Sequence, residues 1–317
     1  MASVDIPPVQ NLGGVYLIDT QHIGHRGTVG AYLLPSDNGE FALVESGPAS
    51  TLDMLEAGIR MIGLNPDNLR AVLVTHIHLD HAGAAGTLAR RYGADVYVHE
   101  VGARHLLDPT KLLVSAERIY GEHMERLWGE TEAVPEDKLH TVADGDTVTV
   151  VGHSLDVLYT PGHASHHVSY RLGDGSLFAG DAAGIRFDGS AVVRPALPPP
   201  DIDLDTWDDT LDKIRRAEPS RLLLTHFGAV TDVEAHLAEV SRQNEIWANA
   251  VLEGMREGDD DDALAARVRR ISEAELERDG APTDVQVRHQ VTSNDAMTVM
   301  GLKRYWNKHH PERLEPL

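Results

Sequence analysis

The chain has 317 residues, of which 42% are apolar, with no cysteine and a formal net charge of −22 at pH 7. That length and apolar share support a sizeable core, and the missing thiols exclude disulfides, thiolate metal ligands and a cysteine nucleophile. The negative field opposes binding to nucleic acid or to an anionic membrane, and no apolar run approaches the ~18 residues that a membrane span needs.

In chain order, the start MASVDIPPVQ lacks the basic and apolar regions of a secretory signal, which makes the cytoplasm the expected compartment. VYLID (15–19), VGAYLL (29–34) and FALVE (41–45) are apolar, β-branched runs broken by Gly and Asp, and they read as strands. After Pro48, Ala49 and Ser50 lead into TLDMLEAGIRMIG, whose apolar spacing gives an amphipathic helix with Ser50 as its cap. AVLVT (71–75) is a short strand, AGAAGTLARRYG a helix and DVYVHE the next strand, so this stretch forms one strand–loop–helix–strand unit. Residues 101–138 carry a helical apolar face of Leu106, Leu107, Leu112, Leu113, Ile119, Met124 and Leu127, and read as an insertion. From 139 the strands resume as LHTV, TVTVV, LDVLYT, HVSYRL and SLFAG, separated by the turns ADGD and LGDG. RPALPPP (194–200) is a loop, TWDDTLDKIRRA a helix and RLLLT (221–225) a strand. From about 231 the pattern is helical, with polar breaks at 258–262 and 279–284, and DDDD (259–262) is a solvated turn opening a helix. The expected organisation is a catalytic domain over 1–230 with a helical insertion near 101–138, followed by a C-terminal helical subdomain over 231–317.

Strand 71–75 runs into THIHLDHAG (75–83), which puts His76, His78, Asp80 and His81 within six positions. Imidazole and carboxylate are good ligands for zinc, iron and manganese. In an extended segment His76 and His78 point the same way, and a turn would bring Asp80 and His81 to a second point. One ion cannot comfortably take all four from so short a segment, whereas two adjacent ions can. Three further candidates share this arrangement of a buried strand ending in a polar residue: His163 after LDVLYTPG, Asp181 after SLFAG and His226 after RLLLT.

The ordered set THIHLDHAG, TPGHASHH, FAGD and THFG resembles the metallo-β-lactamase fold superfamily over roughly residues 14–230. The resemblance implies an α/β fold, an αββα sandwich with metals at one edge of two facing sheets. It implies that His76, His78 and His163 bind one metal, that Asp80, His81 and His226 bind a second, and that Asp181 bridges both. Two divalent ions are expected, with zinc favoured and iron or manganese compatible with an all-N/O set. Such a pair can activate a shared water, with Asp80 close enough to orient it or move its proton. The expected activity is hydrolysis of a small ester, thioester or lactone.

Departures narrow the resemblance. Asp181 stands where true β-lactamases usually have Cys or Ser. His78 stands where flavodiiron proteins have Glu, and the RNA-gripping arm of tRNA-processing nucleases is missing. Acyl-homoserine lactonases have a Tyr at the position of Gly184, leaving Tyr120, Tyr159 and Tyr170 as available phenols. TPGHASHHVSY and SLFAGD are similar to glyoxalase II, with His167 matching a histidine that supports a ligand and His166 replacing a Gly. The basic glutathione-binding set of that family has only Arg288, Lys303, Arg304 and Lys308 as counterparts. Persulfide dioxygenases share His76, His163 and Asp181 around a single iron, so a sulfur dioxygenase is the alternative enzyme class, and a ligand-binding regulator on the same fold is a third reading. The closer overall resemblance is to broad-specificity hydrolases of that superfamily with an extended helical C-terminus. There the insertion and the C-terminal block would roof the metals, and Trp128, Trp247, Met255, Met297, Met300 and Trp306 are candidates either for an apolar pocket or for helix packing. The loop DTQHIGHRG (19–27) offers His22, His25 and Arg26 as substrate contacts. The expected partner is a small molecule, and a homodimer is the default assembly.

Overall fold

Alternation within the early apolar runs sets the layering. In the strand Gly30–Pro35, Ala31 and Leu33 enter one buried cluster while Tyr32 and Leu34 enter another, and in Phe41–Val44 the residues Phe41 and Leu43 part from Ala42 and Val44 in the same way. Successive side chains of a strand point to opposite faces, so a run that is apolar throughout must be covered on both sides. The computed structural model, which describes residues 8–315, shows this arrangement. Most of the MASVDIPPVQ start lies outside the described residues, as do the last two residues of the C-terminal block.

One sheet contains β1 (Val9–Asn11), β2 (Tyr16–Asp19), β3 (Gly30–Pro35), β4 (Phe41–Val44), β5 (Leu69–Leu73), β6 (Asp95–His99) and β7 (Leu139–Val142), hydrogen-bonded in sequence order. It is antiparallel from β1 to β4 and parallel from β4 to β7. The second sheet has the order β13-β12-β11-β10-β9-β8, built from β8 (Thr147–Val150), β9 (His153–Tyr159), β10 (Val168–Leu172), β11 (Ser176–Phe178), β12 (Arg221–Leu224) and β13 (Gly228–Val230). The inner core lies between the sheets, where Leu17, Tyr32 and Leu73 meet Val157, Phe178 and Leu223. Two buried phenols link the sheets: Tyr32 donates to the Leu224 carbonyl at 2.6 Å, and Tyr170 to the Val74 carbonyl at 3.1 Å.

The outer face of the first sheet is covered by α1 (Leu52–Met61), α3 (Ala85–Tyr92) and α4 (Glu100–Leu107). That of the second is covered by α7 (Leu204–Arg216), α8 (Val233–Glu257), α9 (Asp261–Asp279) and α11 (Asp295–His309). The fold is therefore an αββα sandwich. The helical block from 231 shares the core of the second sheet, where Trp247 and Trp306 pack with Trp207 and Leu222; α10 (Thr283–Thr292) instead places Val285 in the inner core. The insertion consists of α4, α5 (Thr110–Tyr120) and α6 (Met124–Trp128), and α2 (Leu79–Ala82) is a single turn. Among the described residues no helix is long and apolar enough to cross a membrane.

Ser50 does not cap α1. Ala49–Thr51 form a 3₁₀ turn, the helix begins one residue later, and Ser50 instead donates to the Leu127 carbonyl at 2.7 Å. The three-residue strands β1 and β13 escape sequence reading, whereas the equally short β11 is read because it lies in the longer apolar run SLFAG.

Candidate metal centre

The candidate ligands meet because the strands that carry them end at one edge of the sandwich. β5 is followed by Val74-Thr75 and then His76; His78 takes the cap position of α2, whose single turn carries Asp80 and His81. β11 and β12 are parallel, with Phe178 opposite Leu223. Asp181 and His226 each lie three residues beyond that pair and so arrive side by side. His163 sits in the loop between β9 and β10. The preceding Gly162 has φ +126 and lies against Trp207, where a Cβ would come within 2.4 Å of the tryptophan Cβ.

Three nitrogens converge at one point. His76 Nε2 is 2.9 Å from His78 Nδ1, and His163 Nε2 is 3.2 Å and 3.0 Å from these two atoms. At a second point His226 Nε2 is 3.4 Å from Asp80 Oδ2, and His81 Nε2 is 3.9 Å from the same oxygen. Asp181 faces both points. Its Oδ2 is 3.5 Å from His163 Nε2, and its Oδ1 is 3.4 Å from His81 Nε2 and 3.5 Å from His226 Nε2. The structure thus brings together all seven candidates, and the sets His76–His78–His163, His76–His81–Asp181 and Asp80–His81–His226 each gather ligand atoms closely enough to hold an ion.

Three features of the residues fit a cation. Ligand nitrogens about 2.0–2.1 Å from a tetrahedral ion lie about 3.3 Å apart, close to the spacing of the first set. Among the described residues His81 Nε2 and Asp181 Oδ1 are buried without a hydrogen-bond partner, an expensive state for polar atoms unless something else satisfies them. The field inside the cluster also calls for positive charge. Burial opposes protonation of His81 and His226, yet Asp181 and its neighbouring carboxylates push both imidazoles up. Burial also opposes ionisation of Asp181, yet His81, His226 and His163 hold its carboxyl well below the usual range. On the other side, burial and the surrounding imidazoles hold His76 and His78 well down, as neutral donors.

Outer partners fix which nitrogen faces the centre. His163 Nδ1 donates to the Ala196 carbonyl at 2.8 Å and His226 Nδ1 to the Thr28 carbonyl at 2.6 Å, which leaves both Nε2 lone pairs inward. Glu45, 1% exposed, does the same for His81 by accepting from its Nδ1 at 2.9 Å. The Thr75 hydroxyl donates to Glu45 at 2.6 Å, so it can only accept from His76 Nδ1, 3.1 Å away. Glu45 also accepts from the Thr75 N–H and the Thr225 hydroxyl, both at 3.2 Å. Sequence reading missed this residue. Its one signal is a charged residue closing the apolar run FALVE, on a strand whose register with β5 places it beside Thr75. His167 accepts the Asp181 N–H at its Nε2, 3.1 Å, so its Nδ1–H is donated to Thr160 at 2.9 Å. It therefore orients Asp181 from behind.

A cavity of about 630 Å³ opens over the centre, and Asp80, His78, Asp181 and His226 reach it. Its apolar wall includes Leu112, Ile119, Tyr120, Leu127, Trp128 and Met297. Of loop 19–27, His22 lines the cavity, stacked on Trp128 with ring centroids 5.2 Å apart and bonded to the Leu127 carbonyl at 2.7 Å. His25 is half-buried and Arg26 exposed, and neither lines the cavity. Of the candidate pocket residues, Trp128 and Met297 line it. Trp247, Trp306 and Met255 pack the outer core instead, and Met300 is exposed. Arg288, Lys303, Arg304 and Lys308 lie off the cavity.

The sequence profile of the metallo-beta-lactamase superfamily matches residues 26–226. A metallo-beta-lactamase fold-containing protein of Sulfurisphaera tokodaii is 32% identical over 194 residues, 60% of this chain and 73% of the relative. Hydroxyacylglutathione hydrolase of Xanthomonas campestris pv. campestris is 33% identical over 150 residues, 47% of this chain and 44% of that enzyme, so the chain spans under half the length of that hydrolase. A metallo-beta-lactamase family protein from Thermus thermophilus has a similar structure, with a TM-score of 0.68 and 25% identity over 94% of each chain.

Proposed function

The chain belongs to the metallo-beta-lactamase superfamily, and on that premise we propose that it is a hydrolase of small esters, thioesters or lactones working at two divalent cations. His76, His78 and His163 would hold one, Asp80, His81 and His226 the other, and Asp181 both. Zinc suits this N/O set, as do iron and manganese. The observation that carries the reading is Asp181, whose two oxygens face the two histidine groups separately. The similarity to hydroxyacylglutathione hydrolases supports an acyl-transfer reaction to water.

When bound, such cations supply Lewis acidity: they make a water acidic enough to attack at neutral pH and offset the charge that grows on the attacked oxygen. The oxygen of water joins the carbonyl carbon, the C–O or C–S bond breaks, and the proton lost by water ends on the leaving group. Asp80 is 23% exposed at the cavity floor, where its carboxylate can take that proton and pass it on. Tyr120 can donate to the substrate oxygen. Among the described residues its hydroxyl has only the Met297 sulfur as partner, at 3.4 Å, and burial, with the Asp80 charge, raises the phenol and keeps its proton on. Tyr159 and Tyr170 cannot do this, since their hydroxyls are spent on the Ser165 and Val74 carbonyls.

The test is metal content per chain by plasma mass spectrometry on protein purified without chelator, with an ester, thioester and lactone panel. Near two ions per chain, activity lost on chelation and regained on metal addition, and loss of both occupancy and rate in Asp181→Asn are expected. One iron with oxygen uptake on a persulfide would replace this reading with the dioxygenase, and tight ligand binding without turnover with the regulator.

A further inference from the structure

The wall of the cavity is polarised along α5. Lys111, Leu112, Ser115, Ala116, Ile119 and Tyr120 all face the cavity, the three-and-four spacing of one helix face. The Tyr120 end lies at the reaction centre: its ring packs edge-on to Trp128, and the Asp80 charge acts on its hydroxyl. The Lys111 end lies at the other extreme, nine residues away, or about 13 Å at the helical rise. There α4 adds Arg104 and His105 to the cavity lining. Arg104 and Lys111 are exposed, and neither pairs with a carboxylate among the described residues; the side-chain bond of Arg104 runs from Nε to His105 at 3.2 Å.

This pair is out of keeping with the chain, which carries 50 acidic against 28 basic residues. Lys111 occupies the first turn of its helix, where the positive end of the backbone dipole disfavours a cation. Two acids lie nearby, and the Asp108 charge acts on Lys111 and both charges on His105, but neither forms an ion pair with Arg104 or Lys111 among the described residues. Asp108 accepts the Thr110 N–H at 3.1 Å, and Asp201 accepts the Ser165 hydroxyl at 2.9 Å. Between the cationic end and the reaction centre this helix face presents Leu112, Ala116 and Ile119, with Ser115 as a polar interruption.

We infer that the substrate is amphipathic: an ester or thioester whose reacting carbonyl lies at the Asp80–Asp181 end and whose far end, across a mainly apolar span of about 13 Å, carries a carboxylate or phosphate held by Arg104 and Lys111. This rests on the hydrolase reading above. The chain's net charge repels anions at long range, so this cationic pair at the mouth also selects orientation.

The experiment compares dodecanoyl thioesters ending in methyl, carboxylate or phosphate, in wild type and in Arg104→Gln/Lys111→Gln. Wild type is expected to favour an anionic terminus by about five- to tenfold in kcat/KM at low salt, through KM. The preference should shrink in high salt and collapse toward one in the double variant, and the carboxylate and phosphate arms show which anion the mouth prefers. Binding gives a second readout that needs no turnover. Dodecanedioic acid should bind more tightly than dodecanoic acid, followed by tryptophan fluorescence with Trp128→Phe identifying the signal, and the difference should vanish in the double variant. Equal turnover of neutral and anionic thioesters, with equal binding of the two acids, overturns the inference and leaves the hydrolase intact. Selective, salt-sensitive binding of the diacid without hydrolysis of any thioester keeps the anionic subsite and overturns the hydrolase.

Discussion

Glu45→Gln isolates the contribution of the buried carboxylate behind His81. Glu45 accepts four hydrogen bonds. One oxygen takes the Thr75 hydroxyl, His81 Nδ1 and the Thr225 hydroxyl, and the other takes the Thr75 N–H. Glutamine has nearly the same shape, and with its carbonyl in the first position it keeps three of these bonds. Its NH₂ then faces the Thr75 N–H, so two donors meet in a buried site at a cost of about 1–3 kcal/mol. The remaining bond to His81 loses its charge assistance, which lowers the basicity of the inward Nε2. Losing such a carboxylate typically weakens metal binding ~10–100-fold, or about 1.4–2.7 kcal/mol. The assay is chelator-competition titration on folded wild type and variant, with thermal unfolding to confirm the fold. On the two-cation proposal the loss should fall on the ion that Asp80, His81 and His226 would hold, so that occupancy would drop from two toward one as chelator rises. Affinities within about twofold for both ions, in a variant that unfolds like wild type, would refute the role given to Glu45.

On the proposed mechanism Tyr120→Phe should lower kcat about 100-fold with metal content unchanged, because it would remove one donor to the reacting oxygen; steady-state kinetics with metal analysis checks this. Gly162→Ala should destabilise the protein by roughly 2–4 kcal/mol, seen as a lowered Tm. It forces a side chain at φ +126 and places Cβ within 2.5 Å of the Trp207 Cα, on the turn that carries His163. His289 should make the fold acid-sensitive. It is fully buried beside Phe187 with both ring nitrogens unpartnered among the described residues, and burial, with Arg194 and Arg288 nearby, pushes its pKa down to about 2. The unfolded chain takes up this proton near pH 6.5 and the folded chain does not. Its share of stability is therefore present above about pH 6.5 and falls by up to ~1.4 kcal/mol per unit as pH drops below it. Urea titrations between pH 7 and pH 5 should show a shallower loss for His289→Phe, and parallel losses would exclude this histidine as a cause.

The candidate site was legible where chemistry and local pattern coincide. His76, Asp181 and His226 stand out because an apolar strand stops and a ligand-type side chain follows within a few residues, and the sandwich follows from strands apolar on both faces. Other features were not legible for physical reasons. Glu45 looks like an ordinary strand end until the register of β4 with β5 sets it beside Thr75 and the folded chain brings up Thr225, 180 residues away. Trp128 and Trp247 look alike as aromatic residues on helical faces. One lines the cavity and the other lies in the outer core, because helix placement rather than composition assigns them.

By itself the sequence determined the two-sided strands, the helical insertion and C-terminal block, and the seven candidate ligand side chains, since each is written in a periodicity or in the chemistry of a residue type. Only the tertiary structure decided that Asp181 faces both histidine groups, that Glu45 stands behind His81, that His22 rather than His25 enters the cavity, and that α5 lays a cationic end and a phenolic end along one wall. These are distances between residues far apart in the chain, and they are set by how two sheets and their covering helices pack rather than by any local run of residues.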